Sequence, residues 1–486
     1  MEHIKESNGK MMLVIGQWSL GSRQWAIVNG QWASGIRQCF ACLLLLSFIS
    51  SCSVSKQIGK QASTILLNDT AISTGHIGIS IYEPATDKYW YNYNAIKYFI
   101  PASNTKLFTL YAGMKYLGDS LVGLRYYDVG HNYLQIRPTA DPTFLHPDFI
   151  SQPVFDFLHN STKNLYFISS YWKAAHKGNG WAWNDFSEAY MAERSAFPIY
   201  GNLIKVFFKD DILTSIPLQK GDIGVYTEKW WEKPNKQLSG LHRTNLLKNF
   251  SIKRTSETSS SFAIFPSTTE FTTTYIPRVI YDQETIEILN DTIKSKIPAT
   301  YTDLTGGDLP KPQIIHSQPS DSFFKPMMHR SDNFFAEQTL LMVSNEHLGY
   351  MSDEKIIDTL LKTDLKDIPQ RPRWVDGSGL SRYNLFTPQS FVYILNKTKN
   401  EFGWDRVKNI LPTGGKGTLS SYYKKDSSFI YAKTGTLSNN CALSGYLITK
   451  KGKVLIFSIL ANNYMTGATP VRRAVEKFLL AIRENY

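Results

Sequence analysis

Three short motifs, far apart but in one fixed order, constrain the fold of this chain more than any other feature. They are Ser103-Asn104-Thr105-Lys106, Ser331-Asp332-Asn333 and Lys433-Thr434-Gly435. Each is weak alone. The Ser-x-x-Lys spacing recurs at Ser53/Lys56, Ser170/Lys173, Ser322/Lys325, Ser352/Lys355 and Ser421/Lys424. Together they hold what serine-based acyl transfer needs when no histidine acts as base: a nucleophile, an unprotonated amine, a proton relay and a cationic anchor for a carboxylate. If they form one site, the chain must fold back on itself twice, and the long stretch between the first two motifs is an insertion.

Ser103 and Lys106 are three residues apart, which places hydroxyl and amine on one helix face, one turn from each other. Near a helix N-terminus, dipole and burial disfavour the ammonium and favour a developing alkoxide. Ile100-Pro101-Ala102 before the pair and an apolar helix after it single out Ser103 among the recurrences. Ser331 offers a hydroxyl to carry a proton to a leaving amine, and Asn333 an amide to orient a substrate; by itself the tripeptide reads as a helix cap. Lys433 can hold a carboxylate, Thr434 can hydrogen-bond it, and Gly435 admits a substrate backbone.

The rest of the chain divides around these motifs. Ile77, Ile79 and Ile81 alternate before a turn at Pro84-Ala85-Thr86-Asp87 and the run Tyr89-Trp90-Tyr91, a hairpin signature. Leu107, Leu110, Tyr111 and Met114 keep helical spacing. Residues 122–310 are rich in short β-like runs and read as an inserted, mostly β region. Helical stretches follow, including Ile356-Ile357-Asp358-Thr359-Leu360-Leu361, then strands at Phe429–Tyr431, Ala442–Ile448 and Val454–Leu460. Lys450, Lys451 and Lys453 around Gly452 read as a hairpin turn. A last helix is expected with Thr469 as N-cap and Pro470 in its first turn. The layout is α+β, with residues 73–121 and 311–486 forming one discontinuous domain.

A length of 486 residues predicts two or three domains, and 42% apolar content suffices for folded cores. The formal charge is +12, yet no Lys/Arg run long enough for a nucleic-acid arm occurs, so no nucleic-acid partner is expected. A generally basic surface would suit an anionic polymer through long-range attraction. Three of the four cysteines, Cys39, Cys42 and Cys52, crowd an apolar run of about ten residues after Arg37, too short to span a bilayer. It reads as a signal-peptide core ending in Ile49-Ser50-Ser51-Cys52, similar to a lipobox whose cysteine is lipidated. Residues 1–52 are therefore expected to be leader and signal, Cys52 a membrane anchor, residues 53–72 a polar tether, and the location periplasmic. Upstream, Gln17-Trp18, Gln24-Trp25 and Gln31-Trp32 recur every seven residues without the apolar pair a coiled coil requires. Losing Lys5, Lys10, Arg23 and Arg37 with Glu2 and Glu6 would leave a charge of +10 and one thiol, Cys441, so no internal disulfide.

The ordered motifs, with Asp376-Gly377-Ser378-Gly379-Leu380-Ser381-Arg382-Tyr383-Asn384-Leu385, Gly180-Trp181-Ala182-Trp183-Asn184-Asp185 and Asp141-Pro142-Thr143, resemble the class C low-molecular-weight penicillin-binding proteins, the D-alanyl-D-alanine carboxypeptidase/endopeptidase family. The resemblance covers about residues 73–484. It implies a penicillin-binding-protein/β-lactamase-like antiparallel sheet with flanking helices, interrupted by the insertion. It implies that Ser103 attacks the carbonyl between two D-alanines with Lys106 as base, and that the N–H groups of Ser103 and Thr436 bind the oxyanion. Ser331 and Lys433 would protonate the departing D-Ala, Lys433 and Thr434 would grip its carboxylate, and water would release the acyl group. Peptidoglycan stem peptides and β-lactams become the expected partners, with no cofactor and no metal. Asp185, Tyr190 and Arg382 match the family's pocket for the stem-peptide side chain, where Asp185 could pair with the free amine of a dibasic residue. By the residues alone, Asp376 to Ser381 is only a Gly-rich turn, and His329 has no mechanistic use.

Two rivals remain. A serine β-lactamase shares the chemistry but lacks so large an insertion. A non-enzymatic, β-lactam-sensing or wall-binding lipoprotein would not need Ser103, Lys106, Ser331, Asn333 and Lys433 all intact.

Overall fold

The alternating isoleucines form a strand, His76–Glu83, buried along almost all its length and joined by a tight turn to Lys88–Tyr93. The computed structural model that shows this describes residues 54–486 apart from 169, 218–221, 226–235, 238–247, 295–298, 303–309 and 426. The expected leader, the Gln-Trp repeat and Cys52 lie outside the described residues. The chain divides into Met1–Gln57 and Ile58–Tyr486, and the elements that follow belong to the second unit.

A five-stranded antiparallel sheet runs in the order Ile430–Leu437, Asn440–Ile448, Val454–Asn462, His76–Glu83, Lys88–Tyr93. First and last parts of the sequence thus share one sheet, and the third motif lies on its edge strand. The strands Asn440–Ile448 and Val454–Asn462 are buried almost throughout and mostly apolar because helices cover them. Lys450 to Lys453 turn between two of them, as the spacing predicts. Pro388–Phe402 packs directly on the sheet, Lys106–Tyr116 packs on that helix and on Asn333–Leu348, and all share a core that includes Phe108, Tyr111, Phe335, Leu340, Phe391 and Ile456. The helix after the first motif has no solvent face over Lys106–Met114: every one of those side chains is buried. The α+β expectation holds.

Between Ser120 and Pro319 the chain builds three further sheets. One five-stranded sheet orders Ala299–Thr302, Asn164–Ile168, Tyr133–Pro138, Ser120–Asp128 and Gln313–Pro319. Its last two strands are antiparallel neighbours, so the insertion leaves and returns side by side. Its core (Leu124, Ile136, Leu165, Leu289) is separate from the main one, and a third core (Ile204, Phe250, Phe262, Ile276) lies between the three- and four-stranded sheets.

Two local expectations are corrected. The C-terminal helix spans Ala468–Asn485 with Gly467 at the N-cap; Thr469 is already inside, and no side chain caps that end. Residues 54–67, expected to be part of a polar tether, are helical, the stretch Ala62–Leu67 as a π-helix. Ile58, Ala62 and Leu66 are buried there, and Ala62–Leu67 packs against the C-terminal helix. The spacing of four between those three residues marks an apolar stripe within a polar composition.

Candidate active site

The first motif winds as a 3-10 turn, Ala102–Thr105, that runs directly into the helix Lys106–Tyr116. Ala102 has φ of 48°, a left-handed conformation that sharpens the entry. Over Pro101–Met114 only Ser103 retains access to solvent. The turn is held to the sheet from below: Asn104 Nδ2 donates to Ser444 Oγ at 2.7 Å, and Ser444 Oγ donates to Ser458 Oγ at 2.8 Å. Gly435 is where the two elements touch. A Cβ there would lie 2.5 Å from the Pro101 carbonyl oxygen and 3.2 Å from the Asn104 nitrogen. Glycine at this position therefore makes room for the nucleophile turn.

Lys106 Nζ meets three acceptors: Ser103 Oγ at 3.0 Å, Asn333 Oδ1 at 2.6 Å and the Ser378 carbonyl at 2.7 Å. Two of these cannot donate a proton. A neutral amine that gives its two N–H groups to Asn333 and Ser378 keeps its lone pair for the Ser103 hydroxyl. Burial pulls the Lys106 ammonium down to about 8, although the carboxylates of Asp376, Glu337 and Asp332 oppose the shift.

The second motif combines both of its readings. Asp332 is the helix cap, accepting from Phe335 N at 3.0 Å. Ser331, at φ of 62°, turns its hydroxyl toward the third motif, where Lys433 Nζ donates to it at 2.8 Å. Lys433 is fully buried, and its ammonium also donates to the Thr434 carbonyl at 2.7 Å. Burial, with help from the charges of Lys106 and Arg472, holds the Lys433 pKa well below the usual lysine range. On the same edge strand, Ala432 N–H donates outward to the Pro412 carbonyl, so by strand alternation the N–H groups of Thr434 and Thr436 face away from the sheet as well.

The block from Asp376 to Leu385 turns around one carboxylate. Asp376 accepts from Gly379 N, Ser381 N, Asn384 Nδ2 and Trp181 Nε1. That turn presents the Ser378 carbonyl to Lys106, and its Gly379, at φ of 83°, lies against the Ala102 carbonyl. Trp181 ties the insertion to the block, and Gly180 packs on Ser381 and Tyr383. Close by, Asn333 Nδ2 donates to the Tyr190 carbonyl at 3.2 Å, and the Tyr190 hydroxyl bonds Asp185. Arg382 reaches the Ser438 carbonyl at 3.4 Å. Asp185 and Tyr190 are thus brought beside Asn333 of the second motif, whereas Arg382 bonds just beyond the third-motif strand; Trp183 and Tyr190 are exposed.

Two groups at the site went unread in the sequence. Glu337 is fully buried and accepts from Ser378 N at 2.7 Å and from Arg194 at 3.2 Å; burial and the nearby Asp376 push it up to about 7. It lies one helical turn after Asn333, which was the available signal. Arg472, on the C-terminal helix, donates to Thr436 Oγ1, and nothing in the sequence marked it. His329 is half-buried beside Ser331, and burial lowers its pKa. Among the described residues no group of His, Cys, Asp and Glu could hold a metal ion, and no helix is long and apolar enough to cross a membrane.

The sequence profile of the D-Ala-D-Ala carboxypeptidase 3 (S13) family matches residues 60–215 and 312–483, with the gap falling inside the insertion. The chain belongs to this family. It is a serine D-Ala-D-Ala carboxypeptidase, and the resemblance drawn from the motifs holds. The carboxypeptidase DacB of Mycolicibacterium smegmatis is 31% identical over 171 residues, 32% of this chain and 37% of that protein. The D-alanyl-D-alanine carboxypeptidase of an Actinomadura species is 25% identical over 456 residues, 84% of this chain and 81% of its own. In fold, the chain is similar to penicillin-binding protein 4 of Haemophilus influenzae, with TM-score 0.66 and 18% identity over 88% of this chain and 99% of that one. A second structure of that protein, complexed with a β-lactam, matches with TM-score 0.62 and 16% identity over the same shares.

Proposed function

We propose that Ser103 is the nucleophile, Lys106 its base, and Ser331 with Lys433 the relay to the leaving amine, in an enzyme that trims and opens peptidoglycan stem peptides through an acyl-enzyme. The observation that carries this reading is the Lys106 amine, 3.0 Å from Ser103 Oγ with its other two contacts on pure acceptors. Ser103 Oγ attacks the carbonyl between two D-alanines, its proton passes to Lys106 Nζ, and the tetrahedral oxyanion is met by the N–H groups of Ser103 and Thr436. The amide nitrogen takes a proton from Ser331, which Lys433 reprotonates, and the amine leaves; the Ser103 proton held by Lys106 then passes to Lys433, so that both lysines regain their starting charge and Lys106 is again a neutral base. Water, deprotonated by Lys106, then hydrolyses the ester. The same steps cut a cross-link when the leaving amine belongs to a second stem, so endopeptidase activity needs no further group. Asn333 orients the acyl side, and Asp185, Tyr190 and Arg382 receive the stem-peptide side chain.

β-Lactams acylate Ser103 by the same route, and slow release of that ester inhibits the enzyme. Incubation with penicillin should give one long-lived adduct by intact-mass spectrometry, absent in Ser103→Ala, and muropeptide digests should lose terminal D-Ala and cross-linked dimers only with the wild type. Fast penicillin turnover would favour a β-lactamase, and unchanged D-Ala release by Ser103→Ala would overturn the nucleophile.

The sequence before Val54 supports a periplasmic lipoprotein anchored through Cys52. Cys52→Ala should move the protein from the membrane to the soluble fraction; continued membrane association would remove the anchor from the proposal.

A further inference from the structure

The Lys106 amine is fully buried, so the positive charge it gains with the Ser103 proton must be balanced by protein groups alone. Asn333 and the Ser378 carbonyl offer it dipoles, not charge. The charge stands one peptide further back. Ser378 N–H donates to Glu337 Oε1 at 2.7 Å. Gly379 N–H, in the peptide whose carbonyl meets Lys106, donates to Asp376 Oδ1 at 2.8 Å. The residue facing the base is thus gripped by a carboxylate on each of its two peptide units, and such bonds make its carbonyl a stronger acceptor.

Asp376 closes its own turn, which accounts for its place. Glu337 has no local duty of that kind. It is fully buried on the helix Asn333–Leu348, and its second oxygen accepts from Arg194 Nη1 at 3.2 Å. Arg194 comes from the insertion, is 1% exposed, and also bonds Asp353 at 2.6 Å and the carbonyls of Ala175 and Lys177. Charged groups therefore reach this place from every side: Glu337 and Asp332 with the second motif, Asp376 from its turn, Arg194 from the insertion, Asp353 from the helix Asp353–Lys362, and Lys433 from the edge strand. Asp376, Glu337 and Asp332 favour the Lys106 ammonium, while Lys106 and Lys433 oppose each other's charge.

We propose that Glu337 is the positioning carboxylate of the catalytic base: through the Ser378 peptide it aims the Lys106 amine and balances the charge that amine acquires, and Arg194 of the insertion keeps it ionised. The proposal rests on the reading of Lys106 as base. It puts nucleophile, base and carboxylate in series, as in Ser-His-Asp sites, with one peptide unit between the last two. The insertion then serves the chemistry as well as the substrate.

The test follows the second-order rate of penicillin acylation against pH, which in the wild type should level off above about 8. Glu337→Gln keeps an acceptor for Ser378 N–H, and Arg194 keeps Asp353, so the charge goes while the fold stays. Without that anion the ammonium is less favoured. The inflection should move to lower pH by about half a pH unit or more, and the weaker base should lower the plateau about tenfold. Glu337→Asp, which restores the charge, should bring the inflection back toward that of the wild type. A side chain that only supported the fold would change the melting temperature and leave the inflection in place. An unmoved inflection in folded Glu337→Gln, or a plateau within about twofold of the wild type, would overturn the proposal. If that variant does not fold, the neutral pair Arg194→Gln/Glu337→Gln, which leaves neither charge of the pair buried alone, carries the same test. A wild-type profile with no inflection would remove Lys106 as base and this proposal with it; an inflection present but unmoved overturns this proposal alone.

Discussion

Lys106 shows how the site sets one residue's charge. No element of its helix exposes it, so the ammonium has only three protein acceptors in place of water, and its pKa falls to about 8. The sign for activity follows. Below about 8 the amine is protonated and cannot take the Ser103 proton; above it the neutral base accumulates. The second-order rate of penicillin acylation should rise roughly tenfold per pH unit from pH 6 and level off above about 8. A profile flat from pH 6 to 9, or one falling across that range, would remove Lys106 as base. At this scale the sequence was most legible, because Ser103, Lys106, Ser331 and Lys433 are few and adjacent within their motifs. What it concealed were residues acting from outside them. Glu337 backs the Ser378 amide from within an apolar-looking helix, and Arg472 arrives from the far end of the chain.

At the scale of elements, the site depends on turns packed backbone against backbone. Gly379 allows this at the junction of the Asp376 turn and the nucleophile turn: φ is 83°, and a Cβ would fall 1.9 Å from the Ala102 carbonyl oxygen. Gly379→Ala must therefore shift one turn against the other, at a cost on the order of 1–3 kcal/mol, and penicillin acylation should slow by at least about tenfold. Gly452, with φ of 78° and nothing within 4 Å, supplies the control: Gly452→Ala should bear the strain alone, lowering the melting temperature without slowing acylation. Equal acylation rates in the two variants would show that contact at Ala102 does not position Ser103. The sequence marked such places only as Gly-rich turns. Whether a glycine faces a neighbouring turn is a tertiary fact, and the contact of Gly435 with the nucleophile turn could not be read for that reason. Hairpin and strand elements were plainer, since Ile77, Ile79 and Ile81 must all be buried to form a sheet.

At the scale of the whole molecule, the two ends of the second unit hold each other. The sheet takes its first strands from residues 76–93 and its remaining strands from 430–462, and the C-terminal helix that carries Arg472 packs on the helical segment ending at Leu67. The long stretch between the first two motifs pointed to the insertion, but the composition of residues 53–72 hid the packed segment, because five buried residues are outnumbered by Ser, Gln, Lys and Thr. Ile58, Leu66 and Ile72 are each at most 1% exposed, and Thr466 donates its hydroxyl hydrogen to the Ala71 carbonyl at 3.0 Å. Removing three such side chains sacrifices at most about 5–9 kcal/mol and bares the apolar side of the C-terminal helix. A chain starting at Ser73 should therefore melt several degrees below one starting at Val54 and should aggregate more readily. Identical melting curves for the two chains would mean that residues 58–72 are dispensable and that a free tether describes them after all.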